Sequence, residues 1–391
     1  MLGLLLARAG VEVIVLEKHA DFLRDFRGDT IHPSTLEVMH ELGLLEELLQ
    51  RPHYKARQVI ARMGDADFSI DLRHVPARCR FVMFMPQWEF LNFLTEHAKR
   101  YDTFTLLMRT EFTRLIEEKE RVCGLRAISP DGPVEIRADL VIGADGRHSD
   151  VREQAGFKTD ELGAAMDVVW FRLPREAQDP EDPQARFSGG GIFIMLNQGT
   201  HWQCGFVIGK GLFEPIQAQG LPAFKARIAE LAPLVKDRLG AISDWEPFKL
   251  LTVRVDRLRQ WYRDGVLCIG DAAHAMSPVG GVGINLAIQD AVATANLLAR
   301  PLRERRLATS DLARVQARRE WPARVTQRLQ MAMQNRVIAP IVSGAEFKPP
   351  VAFRLMSRFP LLSRIPGRLV GIGVRPEHVE APPVAAPSQR E

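Results

Sequence analysis

The chain has 391 residues, 46% of them apolar, which is enough for two domains or one large composite domain with a real core. No apolar run reaches the ~18 residues of a spanning helix, and the apolar opening Leu4-Leu5-Leu6 lacks the basic start and cleavage site of a signal peptide. The net charge of +4 hides an asymmetry, with 17 Lys/Arg against 7 Asp/Glu over residues 300–391 and 35 against 41 before them. A basic end can attract nucleic acid or an anionic membrane; with no aromatic interleaving, a solvated helix with exposed arginines is the simpler reading. Cys79, Cys123, Cys204 and Cys268 form no CxxC pair, which suits a reducing cytosol and argues against a zinc site or disulfide framework.

Residues 1–10 read as the rest of a helix, and 11–16 as the next strand, closed by Glu17. Residues 34–50 show helical spacing with Ser34 or Thr35 as cap. Strand-like runs follow at 57–63, 68–72 and 80–85, then a helix from about Trp88 to Lys99 after the Pro86-Gln87 turn. Residues 103–108, 111–118 and 121–128 read as strands of a meander, and 138–143 as a buried strand running into Ala144-Asp145-Gly146. Runs at 165–173, 191–196 and 202–208 predict a sheet of their own, separated by a Pro/Asp-rich loop at 174–186 and by Gly189-Gly190-Gly191. Trp170, Trp202, Trp245 and Phe206 there read as core rather than as an aromatic cage. Residues 222–240 read as a helix, and helical pattern dominates again from 285 to about 339. Over 346–375, apolar residues alternate with Arg354, Arg358 and Arg364. Packing on the body is favoured there over a membrane interface, because prolines at 349, 350, 360 and 366 break any long helix. The last ten residues, rich in Pro and Ala, are expected to be disordered.

The most informative stretch is 265–285. It reads as a buried strand over 266–269, a tight turn at Gly270-Asp271, a glycine-rich loop, and a helix from about Asn285. Such a helix entry turns free N–H groups and a positive end towards an anionic or carbonyl-rich ligand. Asp271, at the carboxyl end of the strand, can hydrogen-bond a sugar hydroxyl. The segment resembles the second flavin-binding motif of FAD-dependent aromatic hydroxylases, the para-hydroxybenzoate hydroxylase family. Three further segments agree in order: Glu17 with Arg27-Gly-Asp-Thr-Ile-His-Pro-Ser-Thr35, Pro86-Gln87 before a helix, and the Asp-Gly motif of residues 139–149, with Arg147 and Arg152 available as phosphate contacts.

The resemblance covers roughly residues 1–340 and implies an α/β fold. A Rossmann-like FAD-binding domain would comprise 1–56, 87–150 and 262–345, interleaved with a β-rich substrate domain of 57–86 and 151–261. A helical C-terminal region and a tail of 346–391 would follow. It implies that Glu17, Arg27, Gln87, Asp145, Asp271, Gly281, Gly283, Ile284 and Asn285 contact FAD. NADPH or NADH would be the reductant, and an aromatic or polycyclic small molecule would be hydroxylated with O₂ through a flavin hydroperoxide. The protein is expected to be cytoplasmic, a monomer or homodimer, with no metal and no nucleic-acid partner. No substrate-activating residue is named: Tyr54, Tyr101 and Tyr262 are the only tyrosines, and none sits in a segment that obviously faces the ring. His274 reads as a positioned packing or hydrogen-bonding residue, not a base. The acidic ribose-binding residue of a dinucleotide fold follows its G-x-G-x-x-G turn by about 20 residues, which places that turn before Met1. The chain as it stands is therefore expected to bind FAD poorly. A related FAD-dependent reductase and a remnant unable to hold FAD stay open as alternatives; the halogenase W-x-W-x-I-P signature is absent.

Overall fold

Short parallel strand pairs carry the α/β part of the protein. The computed structural model describes residues 1–23, 29–63, 66–188, 191–344, 350, 355–356 and 358–384. Val13–Glu17 runs parallel to Phe104–Met108, and Val141–Gly143 runs parallel to Val266–Cys268. Parallel strands are covered on both faces, and the apolar run Val266, Leu267 and Cys268 is fully buried accordingly. Among the described residues neither Val13–Glu17 nor Val141–Gly143 has a hydrogen-bonded strand along its second edge.

Helices cover these strands. Leu2–Arg8 and Gln87–Ala98 pack with Gly283–Arg303 around Leu5, Phe93, Val292 and Ala295. On the other side Gly283–Arg303 packs against Thr309–Met333, with Trp261, Leu298 and Val315 at the contact. By length and composition the segment Val279–Arg303 could cross a membrane, but its apolar window is 61% buried within the molecule, as a core helix would be. It is interrupted by buried polar groups, Asn285, Gln289, Asp290 and Thr294, each of which needs a partner inside the protein.

A seven-stranded mixed sheet forms the second layer, in the order Lys249–Leu251, Met166–Pro174, His201–Gly209, Gly191–Asn197, Gln184–Ser188, Gln58–Met63, Ala66–Asp71. Side chains alternate faces along a strand. Val169, Phe171 and Leu173 enter a core with Trp202, Phe206 and Phe224. Met166, Val168 and Trp170 turn to the opposite face, which borders a large cavity. Of the four aromatics read as core, Trp202, Phe206 and Trp245 are in it, whereas Trp170 faces the cavity.

Several sequence expectations need correction. The helix over 34–50 is two, Pro33–Glu41 and Leu45–Leu48, because Gly43 takes a left-handed φ of 74° between them. Its N-cap is His32, with Pro33 at the first helical position, rather than Ser34 or Thr35. Phe104–Met108 belongs to the parallel pair; the meander is Glu111–Glu118, Arg121–Ser129 and Gly132–Arg137. The loop over 174–186 runs into the strand Gln184–Ser188, which pairs parallel with Gln58–Met63. The helix over 222–240 stops at Leu231, and Pro233 starts a 3₁₀ segment, Pro233–Ala241. Part of the expected disordered end is tied down: the Val384 N–H donates to the Arg8 carbonyl at 3.0 Å. Residues 385–391, like Gly189, Gly190, Phe347, Phe353 and Arg354, lie outside the described residues.

Candidate functional site

The two parallel strands 141–143 and 266–268 end together, with Gly143 opposite Cys268. Their carboxyl ends therefore deliver Asp145 and Asp271 to one rim of the cavity. This is the edge of an open α/β sheet at which ligands bind. The Ile269 N–H bonds the Gly143 carbonyl at 3.0 Å and ties the two turns to each other. Asp271 sits in the 3₁₀ turn Gly270–Ala272. Gly270 has φ 59°, and a Cβ there would come within 3.0 Å of the Ala287 methyl, so glycine is required for the helix to approach.

The glycine loop then leads into the helix Gly283–Arg303. Gly280 and Gly281 take φ of 80° and 63°, and among the described residues no side chain caps the helix. Gly281, Gly283 and Ile284 line the cavity, so the positive end of a 21-residue helix faces it. Asn285 does not line the cavity. Its Oδ1 accepts the His32 N–H at 2.9 Å and the Thr35 hydroxyl at 2.7 Å, which holds the 30–35 loop against the helix. Its buried Nδ2 has no partner among the described residues.

The other expected residues divide in the same way. Glu17, at the end of its strand, and Gln87, the first residue of its helix, line the cavity. Arg27 lies outside the described residues. Asp145 faces the cavity, yet both its oxygens work locally: Oδ1 accepts the Ser149 hydroxyl at 2.5 Å and Oδ2 the Val151 N–H at 3.1 Å. Arg152, read as a phosphate contact, is buried instead. It donates to the carbonyls of Arg147 and Ala272 at 2.7 and 3.4 Å and so joins the Asp145 turn to the Asp271 turn. Arg147 borders the cavity and donates to the Thr252 carbonyl at 3.2 Å. His274 is turned into the core, with Nε2 at 2.6 Å from Asp290 Oδ2.

Two cavity residues were missed from the sequence. Asp29 accepts the Gln87 N–H at 3.1 Å, and burial raises its carboxyl to about 6, against the opposing pull of that N–H and of Arg172. His32 is 1% exposed, and its Nδ1 lies 2.7 Å from the Val370 carbonyl. A carbonyl only accepts, so Nδ1 carries the proton and Nε2 keeps its lone pair. Burial lowers its pKa to about 4, with the Val370 carbonyl opposing, so the ring is neutral near pH 7. Both residues lie in the Arg27–Thr35 motif; the signal for them was present, but their burial was not.

The cavity has a volume of about 1770 Å³. A site for one small ligand measures roughly 300–1,000 Å³; this cavity is larger because it also runs between the two parallel strand pairs, where Val13, Val15 and Ile142 line it. Carboxylates for sugar hydroxyls, close-approach glycines and an uncapped helix start suit a flavin dinucleotide. The opposite wall, with Val168, Trp170, Phe187, Ile192 and Val207, is apolar.

Comparison with known proteins agrees. A family model described as an FAD binding domain matches residues 1–328. The chain is 32% identical over 366 residues to 6-methylpretetramide 4-monooxygenase of Streptomyces rimosus, covering 92% of this chain and 86% of that protein. It is 28% identical over 314 residues to 12-dehydrotetracycline 5-monooxygenase/anhydrotetracycline 6-monooxygenase of Streptomyces rimosus subsp. rimosus, spanning 75% of this chain but only 58% of that longer protein. In fold it resembles p-nitrophenol 4-monooxygenase from Pseudomonas putida, with a TM-score of 0.76 at 19% identity over 95% of both chains. The chain belongs to the FAD-dependent aromatic hydroxylase family and is an FAD-dependent monooxygenase.

Proposed function

We propose that this protein hydroxylates a polycyclic aromatic small molecule, with NAD(P)H as reductant and O₂ as the source of the inserted oxygen. The observation that carries this reading is the single cavity joining the Asp145–Asp271 rim to the apolar face of the seven-stranded sheet. The reaction balances as aromatic C–H, O₂, NAD(P)H and a proton giving aromatic C–OH, water and NAD(P)⁺. When bound, FAD supplies the redox chemistry that carries two electrons to O₂ and one oxygen atom to the ring.

The chain's own residues bind, orient and exclude water. Glu17 and Asp271 accept hydroxyls of the cofactor, with Gln87 beside them. Gly281, Gly283 and Ile284 offer backbone N–H groups and the helix N-terminus to its carbonyl edge. Asn285 acts behind them, holding the 30–35 loop in place. Segments 1–56, 87–150 and 262–345 make up the cofactor part in this reading, and 57–86 with 151–261 the substrate part. The similarity to a 6-methylpretetramide monooxygenase favours a fused-ring substrate over a single ring. Trp170 and Phe187 on the sheet face offer flat apolar contact for it.

The test is NAD(P)H oxidation by FAD-loaded protein across a panel of single-ring and fused-ring phenols. Stimulation by fused-ring phenols, reduced in Trp170→Ala, is expected. Oxidation at one rate whatever aromatic is added would instead identify a reductase.

A further inference from the structure

The helix Arg364–Gly371 presents two opposite stripes. Ser363, Gly367 and Gly371, spaced by four, are buried against the body. A Cβ on Gly367 would sit 2.0 Å from the Asp71 carbonyl, and one on Gly371 3.2 Å from Leu72. A shift of two residues turns about 200° around a helix. Leu361, Ile365 and Leu369 therefore point away from the body and are 67%, 59% and 38% exposed, with Phe359 beside them at 52%. The sequence favoured packing on the body for this segment, and the small-residue stripe takes that role instead.

Single exposed leucines are ordinary; a contiguous group of large apolar side chains rimmed by one sign of charge marks an interaction surface. Arg358, Arg364 and Arg368 are exposed around the stripe, and residues 355–374 contain no Asp or Glu. Nearby Asp71 is held by Arg73 at 2.9 Å, and Glu377 is buried against Arg318 and Arg319. The same helix forms part of the cavity wall: Val370 lines the cavity, and its carbonyl accepts from His32.

We propose that the helix Arg364–Gly371 and the preceding turn dock on an anionic lipid surface. The stripe Leu361, Ile365 and Leu369 enters the acyl boundary while the arginines meet headgroup phosphates. A second copy of the chain is the poorer occupant, because a two-fold contact through this face would bring the arginines of both copies together, and residues 355–374 offer no carboxylate to separate them. Docking here sets the cavity wall on the bilayer, so a lipophilic substrate reaches the site from the membrane. Only that consequence rests on the proposed function; surface binding is read without turnover.

The experiment is co-sedimentation of the full chain, at physiological salt, with vesicles of phosphatidylcholine alone or mixed equally with phosphatidylglycerol. Binding to the anionic vesicles alone is expected. Leu361→Glu with Ile365→Glu should abolish it without changing the melting temperature, since both side chains are exposed. Arg364→Gln and Arg368→Gln should each weaken it about fivefold. No binding to anionic vesicles, or equal binding by the double Glu variant, overturns the proposal. A dimer in analytical ultracentrifugation that Leu361→Glu dissolves also overturns it, by giving the face to a second copy.

Discussion

Two carboxylates at the cavity have different fates. Asp271 stands at the end of a buried strand, on a turn that glycine and Arg152 hold in place. Asp271→Ala is expected to weaken FAD binding by about 1–3 kcal/mol, or roughly five- to 150-fold, in a flavin fluorescence titration. Unchanged affinity would remove Asp271 from the ligand set. Asp29 is governed by burial, which raises its carboxyl from 3.8 to about 6. The folded state then holds the proton more tightly than the unfolded one. The resulting stabilisation is complete below about pH 4 and is lost as pH rises through about 6. Asp29→Asn keeps an oxygen for the Gln87 N–H and removes the charge. It should be more stable than the parent by up to about 3 kcal/mol near pH 8 and no more stable near pH 4. Urea titrations at the two pH values check this; the same difference at both would contradict it.

At the scale of elements, the Asp271 turn is braced from behind by a buried ionic network. Asp290, on the helix Gly283–Arg303, accepts the Gly270 N–H at 3.0 Å and pairs with His274 and with Arg319 Nε at 2.6 and 2.9 Å. Burial opposes charge on Asp290, but His274 and Arg319 outweigh it and hold the carboxyl below its usual range. Arg319, on Thr309–Met333, also reaches Glu377 at 3.0 Å and so ties the C-terminal segment to the same point. Arg319→Met leaves two buried carboxylates short of a partner and should cost about 3–5 kcal/mol in chemical denaturation. A loss below about 1 kcal/mol would show that the network is solvated. Gly367 is the corresponding weak point of the C-terminal helix. With 2.0 Å to the Asp71 carbonyl, Gly367→Ala must push the helix off the body. About 1–3 kcal/mol of destabilisation is expected, read as a lower melting temperature.

Across the whole molecule, what was legible in the sequence was what periodicity and glycine placement encode. The strands at 266–268 and 141–143, the cofactor-type turns after them and the long helices follow from local pattern. Breaks set by one residue, Gly43 and Pro233, were harder to place because helical spacing continues on both sides of them. The partnering of Phe104–Met108 with Val13–Glu17 is a long-range choice that no local pattern records. Burial was the other hidden quantity. It turned Arg152 from a ligand contact into an internal strut, kept Asn285 behind the cavity wall, and brought Asp29 and His32 to the site. In the proposed function, one cavity brings a cofactor at the Asp145–Asp271 rim together with a fused-ring substrate on the apolar sheet. The most direct test is mass spectrometry of the product made by the FAD-loaded protein from a fused-ring phenol, NAD(P)H and heavy-isotope O₂. A product carrying one heavy oxygen atom from O₂ is expected; NAD(P)H consumption that leaves the aromatic unchanged would contradict this reading.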